Sequence, residues 1–185
     1  GELVPHVGLD SRFHRLVLGQ EKIARYSFLG SGPSLVIKSK GREVEVVAGN
    51  TRRRFVTDTE PLDEIKRIMA DFRPAQVPGL PRFFGGFVGY VGYDYVRFME
   101  RIPDKNPDDL KLPDMVFMLT DTILVFDHVN HTLKVINNVM LPAAPQKLSR
   151  RQKILLYNRA LSVIDGILKQ LQRPLSPQPL ERSQK

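Results

Sequence analysis

Residues 112–136 read LPDMVFMLTDTILVFDHVNHTLKVI. Met115–Phe126 is a run rich in Val, Ile, Leu and Phe; a short segment of Asp, His and Asn follows, and Thr132–Val139 is apolar again. Such runs on either side of a short polar segment predict a β-hairpin, with Met115–Phe126 and Thr132–Val139 as its arms and Asp127–His131 as its turn. Asp121 and Thr122 interrupt the first arm. They either face solvent or bind a neighbouring strand or domain, because a buried carboxylate needs partners.

The pattern upstream of the hairpin is unusual. Phe83–Tyr95, FFGGFVGYVGYDY, carries Gly86, Gly89 and Gly92 at every third position among aromatics. The dinucleotide-binding fingerprint has a different spacing and runs from a strand into a helix. A strand whose glycines let another backbone come close fits better. Tyr95–Arg101 is expected to turn helical, and Pro103–Pro113 to form a solvated loop. Earlier, Thr59-Glu60-Pro61 opens a helix, since a proline in the first turn gives up an amide that would be unpaired anyway. Its apolar stripe is Leu62, Ile65, Ile68, Met69 and Phe72, and Pro74 stops it.

Strand-like runs fill the rest of the N-terminal half: Phe13–Gly19, the end of Glu21–Leu29, Leu35–Lys40, Arg42–Ala48 and Arg53–Thr57. Val44, Val46 and Ala48 share one side by alternation, with Glu43 and Glu45 breaking the run. Downstream, Pro142–Pro145 reads as a linker. Ser149 caps a last helix to about Leu171, with Ile154, Leu155, Leu161, Ile164, Ile167, Leu168 and Leu171 on its apolar face. Many strands with two interspersed helices predict an α+β fold of mostly antiparallel sheet with flanking helices. Residues 1–173 are expected to form one domain, and 174–185, with Pro174, Pro177 and Pro179, a linker or tail.

The chain has 185 residues, 42% of them hydrophobic, so a core is possible. It has no cysteine, which excludes disulfides, thiolate metal sites and a cysteine nucleophile. No apolar run reaches the roughly 18 residues of a membrane span, and the start, GELVPHVGLDSRFHR, lacks a signal-peptide pattern. The expectation is a cytoplasmic protein that binds no membrane. The net charge of +8 could attract anions. Yet Arg52-Arg53-Arg54, Arg150-Arg151, Arg173, Arg182 and Lys185 are scattered, and no basic run is interleaved with aromatics, so nucleic acid is not an expected partner.

The residues suggest few chemical sites. His128 and His131 lie across the hairpin turn beside Asp127, but no third ligand is identifiable, and Asp127 is expected to bind the turn amides. Asp94, Arg97 and Glu100 have the spacing of an ion network on one helical face. Tyr26 and Ser27, in ARYSFLG, either bind a small ligand at a sheet edge or supply a core aromatic with a satisfied hydroxyl. No catalytic, cofactor-binding or metal-binding residue is assigned.

Glu21–Gly30 (EKIARYSFLG), Phe84–Glu100 (FGGFVGYVGYDYVRFME) with Pro103 after it, Leu112–Ile136 and the helix after Ser149 together resemble the N-terminal part of anthranilate synthase component I. The resemblance covers about residues 20–172, and LPDMVFMLTDTILVFDH is more similar to this enzyme than to its sister, aminodeoxychorismate synthase component I. It implies the regulatory, non-catalytic portion of a lyase. The intact enzyme would make anthranilate and pyruvate from chorismate and glutamine-derived ammonia, in tryptophan biosynthesis. Magnesium would be bound by a chorismate-binding domain outside these residues, with none expected here. The implied partners are that domain and a glutamine amidotransferase subunit, with tryptophan as effector. These residues alone are expected to be inactive. The family's leucine-leucine-glutamate-serine motif is replaced by Phe13–Gln20, FHRLVLGQ, although Tyr26 and Ser27 fall in the neighbourhood of the tryptophan pocket.

Overall fold

Alternating apolar and charged residues around the glycine turns fold into antiparallel ladders. The structure, a computed structural model, describes residues 25–142 and 147–174, together with the backbone of 14–17. The strands are β1 (His14–Val17), β2 (Tyr26–Gly30), β3 (Leu35–Lys40), β4 (Glu43–Ala48), β5 (Thr51–Val56), β6 (Gly86–Val91), β7 (Met115–Thr120), β8 (Thr122–Asp127) and β9 (Thr132–Asn137). The helices are α1 (Pro61–Ala70) and α2 (Arg150–Leu171), and Tyr93–Phe98 forms a 3₁₀ turn where a helix was expected from Tyr95. One sheet has the order β1-β2-β8-β9 and the other β5-β4-β3-β7-β6. All neighbouring strands are antiparallel, as the α+β reading requires.

The expected hairpin needs one correction. β8 and β9 do form it, with Asp127 opposite Thr132. The long first arm, however, is two strands: β7 pairs with β3 and β6 in one sheet, and β8 pairs with β2 and β9 in the other. The break falls at Asp121. Its carbonyl accepts the backbone N–H of Asn138 at 2.7 Å and the Asn138 side-chain amide at 3.1 Å. That same amide donates to the Phe84 carbonyl at 2.7 Å. One asparagine thus satisfies the backbone where the chain changes sheets, a place where ladder bonds would otherwise be missing.

The main core lies on one face of the five-stranded sheet. Ile37, Val44, Tyr95 and Met115 are buried there, and α1 packs Leu62, Ile65 and Ile68 against them. Met69, expected in the same stripe, is instead 38% exposed, because the core covers only the Leu62–Ile65–Ile68 line of so short a helix. A second cluster, Phe28, Ile123 and Val125 with Phe83 packed against it, fills one face of the four-stranded sheet. Phe28 and Phe83 meet edge to face at 5.3 Å.

The glycines of β6 show the expected close approach. A Cβ at Gly89 would overlap the Val116 carbonyl oxygen and lie 2.6 Å from the Phe117 Cα. Ser149 caps α2 through a capping box with Gln152. The apolar face of α2 departs from expectation: no α2 residue is buried, and Leu155, Leu161, Leu168 and Leu171 are all exposed. Its main contacts are with β9. Neither helix is long and apolar enough to cross a membrane. The expected linker Pro142–Pro145 falls largely outside the described residues, as does nearly all of the tail 174–185.

Candidate functional site

Tyr26 and Ser27 lie at the start of β2, which is not a sheet edge. It pairs with β1 on one side and β8 on the other. The edge expected from the sequence is closed because the hairpin turn returns to it over about a hundred residues. Ser27 is buried, and its Oγ lies 2.7 Å from His128 Nε2. The Tyr26 ring packs 6.2 Å from Phe28 and carries the Arg25 guanidinium 4.9 Å above it.

Asp127 organises this corner. Its side chain is 2% exposed. It accepts Arg25 Nε at 3.3 Å and Nη2 at 3.1 Å. It also accepts the backbone N–H groups of Val129 and Asn130, as the turn chemistry predicts, and the Asn130 side-chain amide at 2.9 Å. The Arg25 hydrogen bonds, followed by those of the turn, outweigh desolvation and hold this carboxyl well below the usual carboxylate range. The backbone N–H of His128 donates to the Arg25 carbonyl at 2.8 Å, completing a clamp between β2 and the turn. A hydroxyl beside an imidazole is half of a nucleophile–base pair. Here the neighbouring carboxylate is saturated by Arg25 and the turn amides, so it does not orient the ring, and the arrangement serves as a clamp.

The other sequence candidates lie elsewhere. His131 sits in the turn at φ 51°. Asp94 pairs with Arg97 at 3.2 Å, and Arg97 also reaches Asp104 at 3.1 Å, so that among the described residues Asp104, and not Glu100, completes the ion network. Asp121 accepts the Thr122 hydroxyl at 3.4 Å, and Asn137 donates to Thr122 Oγ1 at 2.6 Å. Among the described residues, no three His, Cys, Asp or Glu side chains converge as a metal cluster.

Glu45 is a charged site that the sequence did not reveal. It reads as a break in an apolar run, yet its side chain is 7% exposed, between Lys38 Nζ at 2.6 Å and Arg54 Nε at 2.6 Å. The register places Lys38, Glu45 and Arg54 opposite one another across three strands. Alternation shows only that these charges lie on the outward faces of their strands; which ones meet depends on register. A shallow cavity of about 520 Å³ opens over this row, lined also by Lys40, Lys111 and Pro113. Three of its cations are already engaged, Lys38 and Arg54 with Glu45, and Lys40 with Asp108 at 2.7 Å and Asp114 at 3.0 Å.

The Lys38 ammonium and then the Arg54 guanidinium beside it hold the Glu45 carboxyl down at about 2. A carboxyl depressed in the folded state stabilises above its unfolded pKa, and that contribution is lost as pH falls toward the folded value. Thermal melts of wild type and Glu45→Gln should therefore differ most near pH 7 and converge between about pH 4.5 and 2. The gap is expected to be modest, since all the partner cations are largely exposed. Parallel curves over that range would mean that Glu45 is not the linked group.

The whole arrangement can be compared with known proteins. The family model described as chorismate binding enzyme matches residues 16–183. Anthranilate synthase component 1 of Acetivibrio thermocellus is 43% identical over 123 residues, 66% of this chain and 25% of the relative. That of Aquifex aeolicus is 33% identical over 153 residues, 83% of this chain and 29% of the relative. The crystal structure of anthranilate synthase component I from Streptococcus pneumoniae aligns with a TM-score of 0.59 and 25% identity, over 88% of this chain and 32% of that one. The chain thus spans about a quarter to a third of the length of these relatives. With a family match through both sheets and both helices, this chain belongs to the chorismate-binding enzyme family.

Proposed function

We propose that these residues are the regulatory, non-catalytic N-terminal portion of an anthranilate synthase component I, a cytoplasmic enzyme that makes anthranilate from chorismate and ammonia. The observation that carries this reading is the 43% identity to a protein of that name. A component 1 implies a second component, and the ammonia-supplying amidotransferase is the partner this reading assigns. Tryptophan is the effector class, with Tyr26 and Ser27 in the neighbourhood of its pocket. Magnesium suits a substrate rich in carboxylates, but the described residues do not fit it. Asp127 and Glu45, the most buried carboxylates, are already neutralised by Arg25, Lys38 and Arg54. The metal is therefore assigned to the part of the enzyme outside these residues.

A chimera provides the test. Residues 16–183 would replace the matching stretch of the Acetivibrio thermocellus relative, and anthranilate fluorescence would be followed with chorismate, ammonium and magnesium. The chimera should form anthranilate, and the 185-residue chain alone should form none. Turnover by the chain alone, or a folded chimera that makes aminodeoxychorismate instead, would overturn the reading.

A further inference from the structure

β5, with the sequence TRRRFV, ends the five-stranded sheet, and among the described residues it pairs with β4 alone. Just beyond it, Thr57 donates its backbone N–H to the Arg42 carbonyl at 2.9 Å. Bonded pairs alternate along an antiparallel ladder. The amides and carbonyls of Thr51, Arg53 and Phe55 therefore bond β4, and those of Arg52, Arg54 and Val56 face outward. Every residue of β5 except Phe55 is exposed. Such an edge is a ready template for another strand.

The charge on this edge decides which strand it admits. By alternation Arg52, Arg54 and Val56 share one face. Arg53 lies on the other, with its guanidinium 4.7 Å from the Phe55 ring. Glu45 meets Arg54 Nε at 2.6 Å and Arg52 Nε at 3.6 Å, and it also serves Lys38. The Arg52 and Arg54 side chains remain 62% and 70% exposed, so their outer amino groups are open to a further carboxylate. The other carboxylate of β4 is Glu43, which lies opposite Val56. Lys38, Arg52, Arg53 and Arg54 thus outnumber Glu43 and Glu45 by two charges. A second copy on this edge would set arginines against arginines, which is unfavourable across a strand pair. A nucleic acid would use neither the outward backbone groups nor Val56, which is 66% exposed on the arginine face.

We propose that the free edge of β5 takes up an extended acidic segment of a separate polypeptide as an added strand, with carboxylates at alternate positions beside Arg52 and Arg54 and an apolar side chain beside Val56. The outward amides and carbonyls hold the incoming backbone, and the guanidiniums select its charge. The guanidinium suits this task because its planar fork matches a carboxylate. The proposal does not depend on the function proposed above, since it uses none of the residues around Tyr26 and Ser27.

The probe is a synthetic peptide alternating Glu with Thr and ending in Val, with the same peptide carrying Lys in place of Glu as its control. Titrated into the full 185-residue chain, the acidic peptide should bind one to one, and more weakly as salt is raised. It should also slow hydrogen exchange at the amides of Arg52, Arg54 and Val56. The Lys peptide should not bind. Arg52→Gln/Arg54→Gln should weaken the complex about tenfold, by removing two cross-strand charge pairs. Val56→Pro keeps every arginine and removes an outward amide that β4 does not use, and it should weaken the complex about fivefold. Circular dichroism checks that both variants keep the sheet. No binding, binding without protection of those amides, or indifference to either variant would each overturn the proposal. So would equal affinity for a single-stranded DNA oligonucleotide, or self-association of the chain through β5.

Discussion

Gly89→Ala is expected to destabilise the fold by about 3 kcal/mol or more, lowering Tm by roughly 6–12 °C. The added methyl would overlap the Val116 carbonyl oxygen, and the Val116 carbonyl carbon and Phe117 Cα lie within 2.8 Å of it. These are backbone atoms of a strand paired on both sides, so no side chain can rotate away to relieve the overlap. Relief requires β6 and β7 to separate, which breaks ladder hydrogen bonds between Gly86–Val91 and Met115–Thr120. The matching control is Gly166→Ala. Nothing lies within 4 Å of a Cβ at that position in α2. It should stabilise the helix by up to about 1 kcal/mol, through propensity alone. Thermal melts of both variants decide the matter. A Gly89→Ala protein melting within a degree of wild type would show that the strands part at little cost.

Tyr95→Ala should cost about 4 kcal/mol, because it removes a large core side chain and leaves a cavity. Tyr95 is 2% exposed and packs with Ile37, Val44 and Met115. Its ring lies 4.8 Å from that of Phe98. Its hydroxyl also accepts the Leu62 backbone N–H at 3.0 Å, satisfying one of the amides left free at the start of α1. Glu60, at the N-cap position, makes no side-chain cap of its own. Tyr95→Phe isolates that hydrogen bond and should cost about 1 kcal/mol. Denaturant unfolding of the pair separates packing from capping, and equal losses in both variants would refute the division. Burial raises the Tyr95 pKa above its ordinary value. The fold therefore favours the neutral phenol, and this contribution is full below about pH 10 and lost as pH rises beyond it.

The physics that made parts of this molecule legible in its sequence is local. Alternation marked β4, Pro61 marked the start of α1, and Ser149 marked the start of α2. The glycines of FFGGFVGYVGYDY signalled close backbone contact, and Gly89 makes one. The aspartate of the hairpin turn was expected to bind turn amides, and Asp127 binds those of Val129 and Asn130. The missed features that shape the candidate site are long-range. The change of sheet at Asp121 looks like a blemish in one strand until Asn138 and Phe84 arrive to satisfy it. Tyr26 and Ser27 read as an edge because nothing local places Asp127 and His128 beside them.

The sequence by itself determined the α+β class, the helix starts, the turn at Asp127 and, through several ordered segments, the likeness to anthranilate synthase component I. These follow from propensity, alternation and capping, which act over a few residues. Only the tertiary structure decided which sheet each strand joins, that Glu45 is held between Lys38 and Arg54, and that Arg25 completes the Asp127 clamp. It also decided that the apolar face of α2 stays uncovered. An amphipathic pattern specifies that a face should be buried, whereas what is available to bury it depends on the rest of the fold.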